Sequence, residues 1–177
     1  MTIVPMLLPH LSGPIVLRRL VPSDLVAFLA YRDDPAVARF QGWDAMDAAQ
    51  ARGFLADMAQ APAFPRGGWW QIGIADAASG ALLGDMGLCL AADGTAVELG
   101  ITLARAAQGG GRAEAAMRGA ADLIWAATEA ERIVVITDAR NAPALRLIAR
   151  LGLPQVDTLH ETQWPEPVFH WLRPVAD

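Results

Sequence analysis

The sequence predicts a mixed α/β fold (α+β) in which a mostly antiparallel sheet is flanked by helices. Three apolar, strand-like segments separated by short turns in the middle of the chain predict an antiparallel meander. A long amphipathic helix follows, and then a short run of β-branched residues that is typical of a strand buried on both faces. At 177 residues the chain has the size of one domain. It contains no repeat or long linker, so residues 1–177 are expected to form a single domain.

In the first part of the chain, a strand is followed by two helices and then by the meander. Ser23 is expected to cap the first helix and Pro35 to end it, because proline cannot continue a helix. Pro62 and Pro65 end the second helix in the same way. The predicted segments are a strand at 15–20, helices at 23–34 and 47–60, and strands at 69–75, 81–90 and 96–103.

Two further helices and three strands complete the predicted fold. The first of these helices has charged residues at i, i+4 spacing on one side and small apolar residues on the other, so it can pack closely on a sheet. Asn141 is expected to cap the second helix, and Gly152 to follow its last turn. The predicted segments are helices at 112–128 and 141–151 and strands at 133–137, 155–159 and 168–172.

The composition excludes several classes of chemistry. All 14 basic residues are arginine, which excludes a Schiff-base lysine, a lysine that anchors pyridoxal phosphate and a P-loop. Cys89 is the only cysteine and the three histidines lack an HExxH spacing, so no metal site is expected. The net charge of -5 and the dispersed arginines argue against nucleic acid as a partner.

The distribution of apolar residues bears on localisation. No apolar run is long enough to span a bilayer, so no membrane association is expected. The N-terminal segment lacks the basic region of a signal peptide and is interrupted by prolines. These features predict a cytoplasmic protein.

A glycine loop, Gln108 to Ala113, joins the strand predicted at 96–103 to the helix that follows. Glycines let backbone N–H groups approach a ligand closely, and a helix N-terminus attracts anions, so the segment predicts a site for a pyrophosphate. A dinucleotide fingerprint is disfavoured, because Glu114 would occupy its last small position. The alternative is a turn that only connects the strand to the helix.

The loop resembles the pyrophosphate-binding motif of the GNAT superfamily of acyl-CoA-dependent N-acetyltransferases. Gln108, Gly111 and Ala113 match the pattern Gln/Arg-x-x-Gly-x-Gly/Ala. A second segment, from Asn141 through Ala144 to 151–153 (Leu-Gly-Leu), resembles the helix of that family which ends in Leu-Gly-Phe. The N-terminal part resembles the RimJ/RimL branch, which includes the ribosomal-protein alanine acetyltransferases; its matching residues are 17–20, Asp24 and 34–38.

The resemblance implies a GNAT-type sheet with splayed central strands, at 96–103 and 133–137, and acetyl-CoA bound between them as co-substrate. For Arg112 and Arg146, which belong to the implied site, the alternative is a solvent-exposed position on a helix face. The residues that the resemblance implies for acetyl-CoA are Ile101, Thr102, Leu103, Gln108, Gly109, Gly110, Gly111, Arg112, Ala113, Asn141 and Arg146.

Glu98 is the candidate general base. It is the only carboxylate in its apolar strand, and enzymes of the family often carry their base on the equivalent strand. The alternative is an ordinary polar face or a structural ion pair. The usual proton donors are missing, because Ile148 stands at the position of the family's tyrosine and Ala144 at that of its serine, and Tyr31 is the only tyrosine.

These observations predict an N-acetyltransferase that uses an amine acceptor, and a homodimer could form. Without a proton donor, such a site suits an α-amine of a peptide or a small amine better than a lysine amine, because its lower pKa leaves more of it neutral at pH 7. The rival interpretations are a non-catalytic acyl-CoA-binding module and a purely structural domain. Candidates for the acceptor pocket, most of them expected in the core, are Phe40, Trp43, Trp69, Trp70 and Trp164.

Overall fold

A computed structural model describes residues 7–175 as one eight-stranded sheet with helices on both faces. The strands lie in the order β1-β2-β3-β4-β5-β6-β8-β7. They are β1 (His10–Ser12), β2 (Ile15–Arg19), β3 (Trp69–Asp76), β4 (Leu82–Leu90), β5 (Ala96–Leu103), β6 (Arg132–Ile136), β7 (Gln155–Leu159) and β8 (Glu166–Leu172). The α-helices are α1 (Leu25–Arg32), α2 (Pro35–Ala38), α3 (Ala48–Gln60), α4 (Arg112–Ala127) and α5 (Ala142–Leu151).

Every pair of neighbouring strands is antiparallel except β5 and β6, which are parallel. The predicted mixed, mostly antiparallel sheet is therefore confirmed. The β5–β6 pair is short: it joins residues 96–98 to residues 132–134, whereas β5 stays paired with β4 up to Leu103. The two central strands thus separate beyond Glu98, as expected for splayed strands.

The two faces of the sheet carry different side chains. Opposed residues of neighbouring strands share a face, so the pairing places Glu98, Cys89 and Trp69 together on one side. The strands β3, β4 and β5 bury Trp70, Leu88 and their neighbours on the other side, where α4 and α5 complete the main core. A smaller core lies on the Glu98 side, where α1 contacts β4 and α3.

The helix ends agree with the sequence prediction except at α1. Asn141 Oδ1 accepts a hydrogen bond from the Ala144 N–H at the start of α5, and Gly152 is left-handed at its end. Ser23 does not cap α1, because a 3-10 turn (Pro22–Asp24) precedes the helix and Asp24 accepts from the Val21 N–H and pairs with Arg18 instead.

Two short elements were not predicted from the sequence. The strand β1 has three residues, too few to show an alternating pattern, and it pairs with β2 across a tight turn. Pro35 ends α1, as predicted, but it also starts the single turn of α2, which Asp34 caps by accepting from the Ala36 N–H.

Replacing Gly84 by alanine is expected to destabilise the pairing of β4 with the end of β5, where Gly84 lies opposite Leu103. A Cβ at Gly84 would overlap the Thr102 carbonyl oxygen and lie 2.9 Å from the Leu103 Cα, and backbone atoms cannot move aside as a side chain does. We expect a cost of about 1–3 kcal/mol, which lowers the thermal midpoint by about 2–12 °C in a chain of this size. Gly53→Ala in α3 is the control, because a Cβ there meets nothing within 4 Å and alanine favours helix. An unchanged midpoint for Gly84→Ala would contradict this packing.

Candidate active site

Two adjoining cavities lie where β5 and β6 separate. The first has a volume of about 540 Å³ and contains Glu98, and the second, of about 430 Å³, reaches the glycine loop. They share a wall. The residues that line both cavities are Phe40, Gln41, Ile101, Thr102, Asn141, Ala144 and Leu147.

The second cavity is lined by most of the residues that the sequence predicts for acetyl-CoA. Gly110, Gly111 and Arg112 do not line it, although they belong to the same loop and first helical turn. The predicted residues that do line it are Ile101, Thr102, Leu103, Gln108, Gly109, Ala113, Asn141 and Arg146. The structure thus brings together the strand end, the glycine loop and the start of α5.

The glycine loop presents a run of free donors. Gly109, Gly110 and Gly111 have φ values of 84°, 62° and 75°, a left-handed conformation that side chains with a Cβ rarely adopt. Within residues 7–175, no partner is found for the backbone N–H groups of residues 109–114. The Nε of Arg112 is buried and also lacks a partner there. The free backbone N–H groups, together with the N-terminus of α4, fit the pyrophosphate of acetyl-CoA.

Gln108 has a different role from that of the glycines. Its backbone N–H donates to the Arg105 carbonyl at 3.2 Å, and its side-chain Nε2 donates to the Leu103 carbonyl at 3.2 Å. The backbone N–H of Gln108 is therefore occupied. The sequence suggested that the run of free N–H groups begins at Gln108, but it begins at Gly109. The side chain holds the loop against the end of β5.

Arginines supply positive charge beside the second cavity. Arg146 lines it, is exposed, and has no ion pair among the residues described. Arg150, which the sequence analysis missed, also lines it and lies 3.7 Å from the carboxylate of Glu114. Glu114 also pairs with Arg118 at 3.0 Å. The acidic residue in the first turn of α4 is therefore offset by two arginines, so it opposes anion binding less than its position suggests.

Glu98 lines the first cavity and is half-buried on β5. Burial raises the pKa of its carboxyl group above the ordinary value of 4.5. We find no hydrogen bond or ion pair for this carboxyl group in the described part of the chain, which argues against a structural ion pair. Burial and the neighbouring Glu98 also raise the pKa of the opposed Cys89 thiol, so this cysteine stays a neutral thiol.

The positions of the missing proton donors also line the first cavity. Ile148 and Ala144 stand there, and neither side chain can give a proton. Tyr31 does not replace them, because its hydroxyl group donates to Asp85 at 2.5 Å and does not line either cavity. Burial, with the charge of Asp85, raises the pKa of Tyr31 well above the usual tyrosine range.

The aromatic residues proposed from the sequence divide into two groups. Phe40, Trp43 and Trp69 line the first cavity. Trp70 is buried on the opposite face of the sheet against Phe64, and Trp164 is 42% exposed with the Arg140 guanidinium 4.1 Å from its ring centre.

A buried polar cluster in the wall of the first cavity was not predicted. Asp85 is a second carboxylate inside an apolar strand, the same signal that singled out Glu98, and it is 1% exposed. It accepts from Tyr31, Arg32 and Gln71. The Nε of Arg32 is buried without a partner, which costs about 1–3 kcal/mol unless a ligand or water satisfies it.

Residues 7–175 hold no candidate for a metal site or for a membrane-spanning helix. No group of three or more histidine, cysteine, aspartate or glutamate side chains is arranged to hold a metal ion. None of the described helices combines the length and the apolar character that a bilayer crossing needs.

Comparisons with known proteins agree with the fold. No curated protein matches the sequence. A GNAT-family acetyltransferase of Bacillus anthracis superimposes with a TM-score of 0.80 at 15% identity, over 92% of this chain and 97% of that chain. RimJ of Mycobacterium smegmatis, in complex with CoA-disulfide, gives 0.76 at 17% identity, over 94% and 88%.

A third similar structure is the spermidine N-acetyltransferase of Vibrio cholerae in complex with CoA and spermine. It gives a TM-score of 0.77 at 17% identity, over 90% of this chain and 96% of that chain. The sequence itself matches the acetyltransferase (GNAT) domain over residues 15–154. The chain therefore belongs to the GNAT acetyltransferase family and is an acetyl-CoA-dependent acyltransferase.

Proposed function

We propose that this protein moves an acetyl group from acetyl-CoA to the α-amine of a peptide, or to a small amine of similar pKa, with Glu98 as general base. The observation that carries the proposal is the position of Glu98, a half-buried carboxyl group without a partner among residues 7–175, at the point where β5 and β6 separate and two cavities meet. RimJ, whose structure holds CoA-disulfide, and a spermidine N-acetyltransferase share this fold.

Acetyl-CoA, when bound, supplies a thioester carbonyl group that a neutral amine can attack. The free N–H groups of residues 109–114, together with Arg112 and Arg146, would hold its phosphates. None of the described strands lies beside the backbone of β5 from Ile101 to Leu103 on the β6 side, so this edge is available to the pantetheine arm and to the thioester oxygen. Asn141 lines both cavities and would contact the same arm.

Glu98 would take the proton that the amine loses, directly or through water. Burial raises the pKa of this carboxyl group, which makes its carboxylate a stronger base than that of an ordinary glutamate. No donor takes the place of the missing tyrosine among the side chains described above, so the thiol leaves as thiolate, which its pKa of about 8.5 permits.

An α-amine acceptor is expected to react at least tenfold faster than a lysine amine at pH 7. An amine with a pKa near 8 is about one-tenth neutral, whereas one near 10.4 is neutral about once in 2,500 molecules. The measurement is CoA release with two matched peptides, one with a free α-amine and no lysine, the other N-acetylated with one lysine. Faster turnover of the lysine peptide would contradict the proposed acceptor class. If the protein binds acetyl-CoA but no amine causes the release of CoA, the proposed function itself is contradicted.

A further inference from the structure

Arg32, in the last turn of α1, has hydrogen-bond donors to spare inside the first cavity. Its guanidinium carbon lies 4.3 Å from the ring centre of Phe28 and 4.2 Å from that of Trp43, and its side chain is 6% exposed. Among residues 7–175 it makes one hydrogen bond, from Nη2 to Asp85 Oδ2 at 3.3 Å. Since a guanidinium group carries five N–H donors, most of its donors are unused, and its Nε is buried without a partner.

Asp85, the partner of Arg32, accepts three hydrogen bonds. Its Oδ1 accepts from Gln71 Nε2 at 3.1 Å, and its Oδ2 accepts from the Tyr31 hydroxyl group as well as from Arg32. This carboxylate balances the charge of Arg32 without using the remaining donors of the guanidinium group. The cluster therefore carries little net positive charge, yet it still offers N–H groups to a ligand.

The other charged groups of the first cavity determine which ligand atom these donors suit. Asp138 is paired with Arg140 at 2.6 Å, whereas Glu98 and Glu166 line the cavity with no ion pair in the part of the chain described. An anionic acceptor group would therefore meet repulsion, and a cationic amine would be favoured. An uncharged oxygen, such as a carbonyl group, can accept from Arg32 without that repulsion.

A groove along the sheet connects Glu98 to this cluster. On the same face of β4 and β5, the opposed pairs are Cys89 with Glu98, then Gly87 with Gly100, then Asp85 with Thr102. A Cβ at Gly100 would meet nothing within 4 Å, so the groove is open along β5. Above Gly87 it is bounded by the Trp69 ring and the Gln71 side chain, which lie 3.0 Å from a Cβ placed there. Four residues of strand separate its ends, or about 13 Å, so an acceptor that reaches both must be extended over several bonds.

We propose that Arg32 determines acceptor specificity by donating hydrogen bonds to an uncharged oxygen of the acceptor, whose amine lies at the Glu98 end of the groove. This inference rests on the proposed function and narrows its acceptor class. Acceptors with carbonyl groups along an extended chain, such as peptide amides, satisfy both ends of the groove. Aliphatic polyamines lack the oxygen, and free amino acids carry a carboxylate instead.

The test compares acceptors that differ only in that oxygen. Alanyl tripeptide amides are assayed for CoA release beside analogues in which one amide group at a time is replaced by a trans-alkene of the same shape. With the unmodified protein, we expect one replacement to lower kcat/KM by about 10- to 100-fold, mainly through KM, because a charged donor would be left unpaired. Equal kcat/KM across the series would overturn the proposal without any variant being needed.

Arg32→Lys then assigns the effect to this residue. Lysine keeps the charge beside Asp85 but loses the planar set of donors, so we expect the preference for the amide to fall to about threefold or less. Arg39→Lys, an exposed arginine outside both cavities, is the matched control and should keep the preference. Thermal unfolding and acetyl-CoA binding show whether Arg32→Lys is folded. An unchanged preference for the amide in folded Arg32→Lys overturns the proposal. If instead no acceptor causes the release of CoA from the unmodified protein, the proposed function has failed.

Discussion

Glu98→Gln is expected to lower kcat by about 10²- to 10⁴-fold, which is the usual contribution of a general base. Glutamine keeps the size of the side chain and the half-buried position on β5, but it cannot accept the proton of the attacking amine. The affinity for acetyl-CoA should stay within about threefold, because Glu98 lines the first cavity and not the one beside the glycine loop. The measurement is CoA release at saturating amine, with acetyl-CoA binding followed by calorimetry.

The pH dependence gives the same experiment a second readout. Burial favours the neutral form of Glu98 and raises its pKa, and the base must be ionised to work. The kcat of the unmodified protein should therefore fall with decreasing pH, with a midpoint above the ordinary 4.5, and this acid limb should be absent from Glu98→Gln. Glu129→Gln, an exposed glutamate outside both cavities, is the control. Full activity of Glu98→Gln would mean that water or the acceptor itself handles the proton.

The fold could be predicted because most of its signals are local. The local signals are the apolar runs and short turns of β3 to β5, the proline that ends α1 and the cap of α5, each within a few residues of the element that it defines. The elements missed were those with too few residues for a pattern, namely β1 and the single turn of α2. The prediction that Ser23 caps α1 was wrong. The start of that helix depends on the ion pair of Asp24 with Arg18, which the local sequence does not show.

The candidate site was only partly predictable, because its two ends arise differently. The glycine loop and the start of α4 are contiguous in sequence, so their conformation follows from Gly109 to Gly111 themselves. The polar cluster joins Arg32 to Asp85 across 53 positions and depends on where α1 crosses β4. A carboxylate inside an apolar strand was a usable signal for Asp85, but its partners are fixed only by the tertiary packing.

Gly111→Glu is expected to weaken acetyl-CoA binding by about 100- to 1,000-fold. A Cβ at Gly111 would meet no atom within 4 Å, and the carboxylate of a glutamate there would stand beside the N-terminus of α4. Two like charges about 4 Å apart at a protein surface repel by about 4 kcal/mol, and RT converts that energy to roughly a thousandfold. Calorimetric titration with acetyl-CoA measures the loss.

The left-handed backbone at Gly111 requires a control for strain. Gly111→Asn imposes a similar conformational cost at φ 75°, since asparagine tolerates this region better than most residues, and it adds no charge. Acetyl-CoA binding should therefore stay within about tenfold in Gly111→Asn. Acetyl-pantetheine, which lacks the pyrophosphate, should be used equally well by the unmodified protein and by Gly111→Glu. If Gly111→Glu instead binds acetyl-CoA as tightly as Gly111→Asn, the loop is only a connection between β5 and α4, and the phosphates must lie against Arg146 and Arg150 on α5.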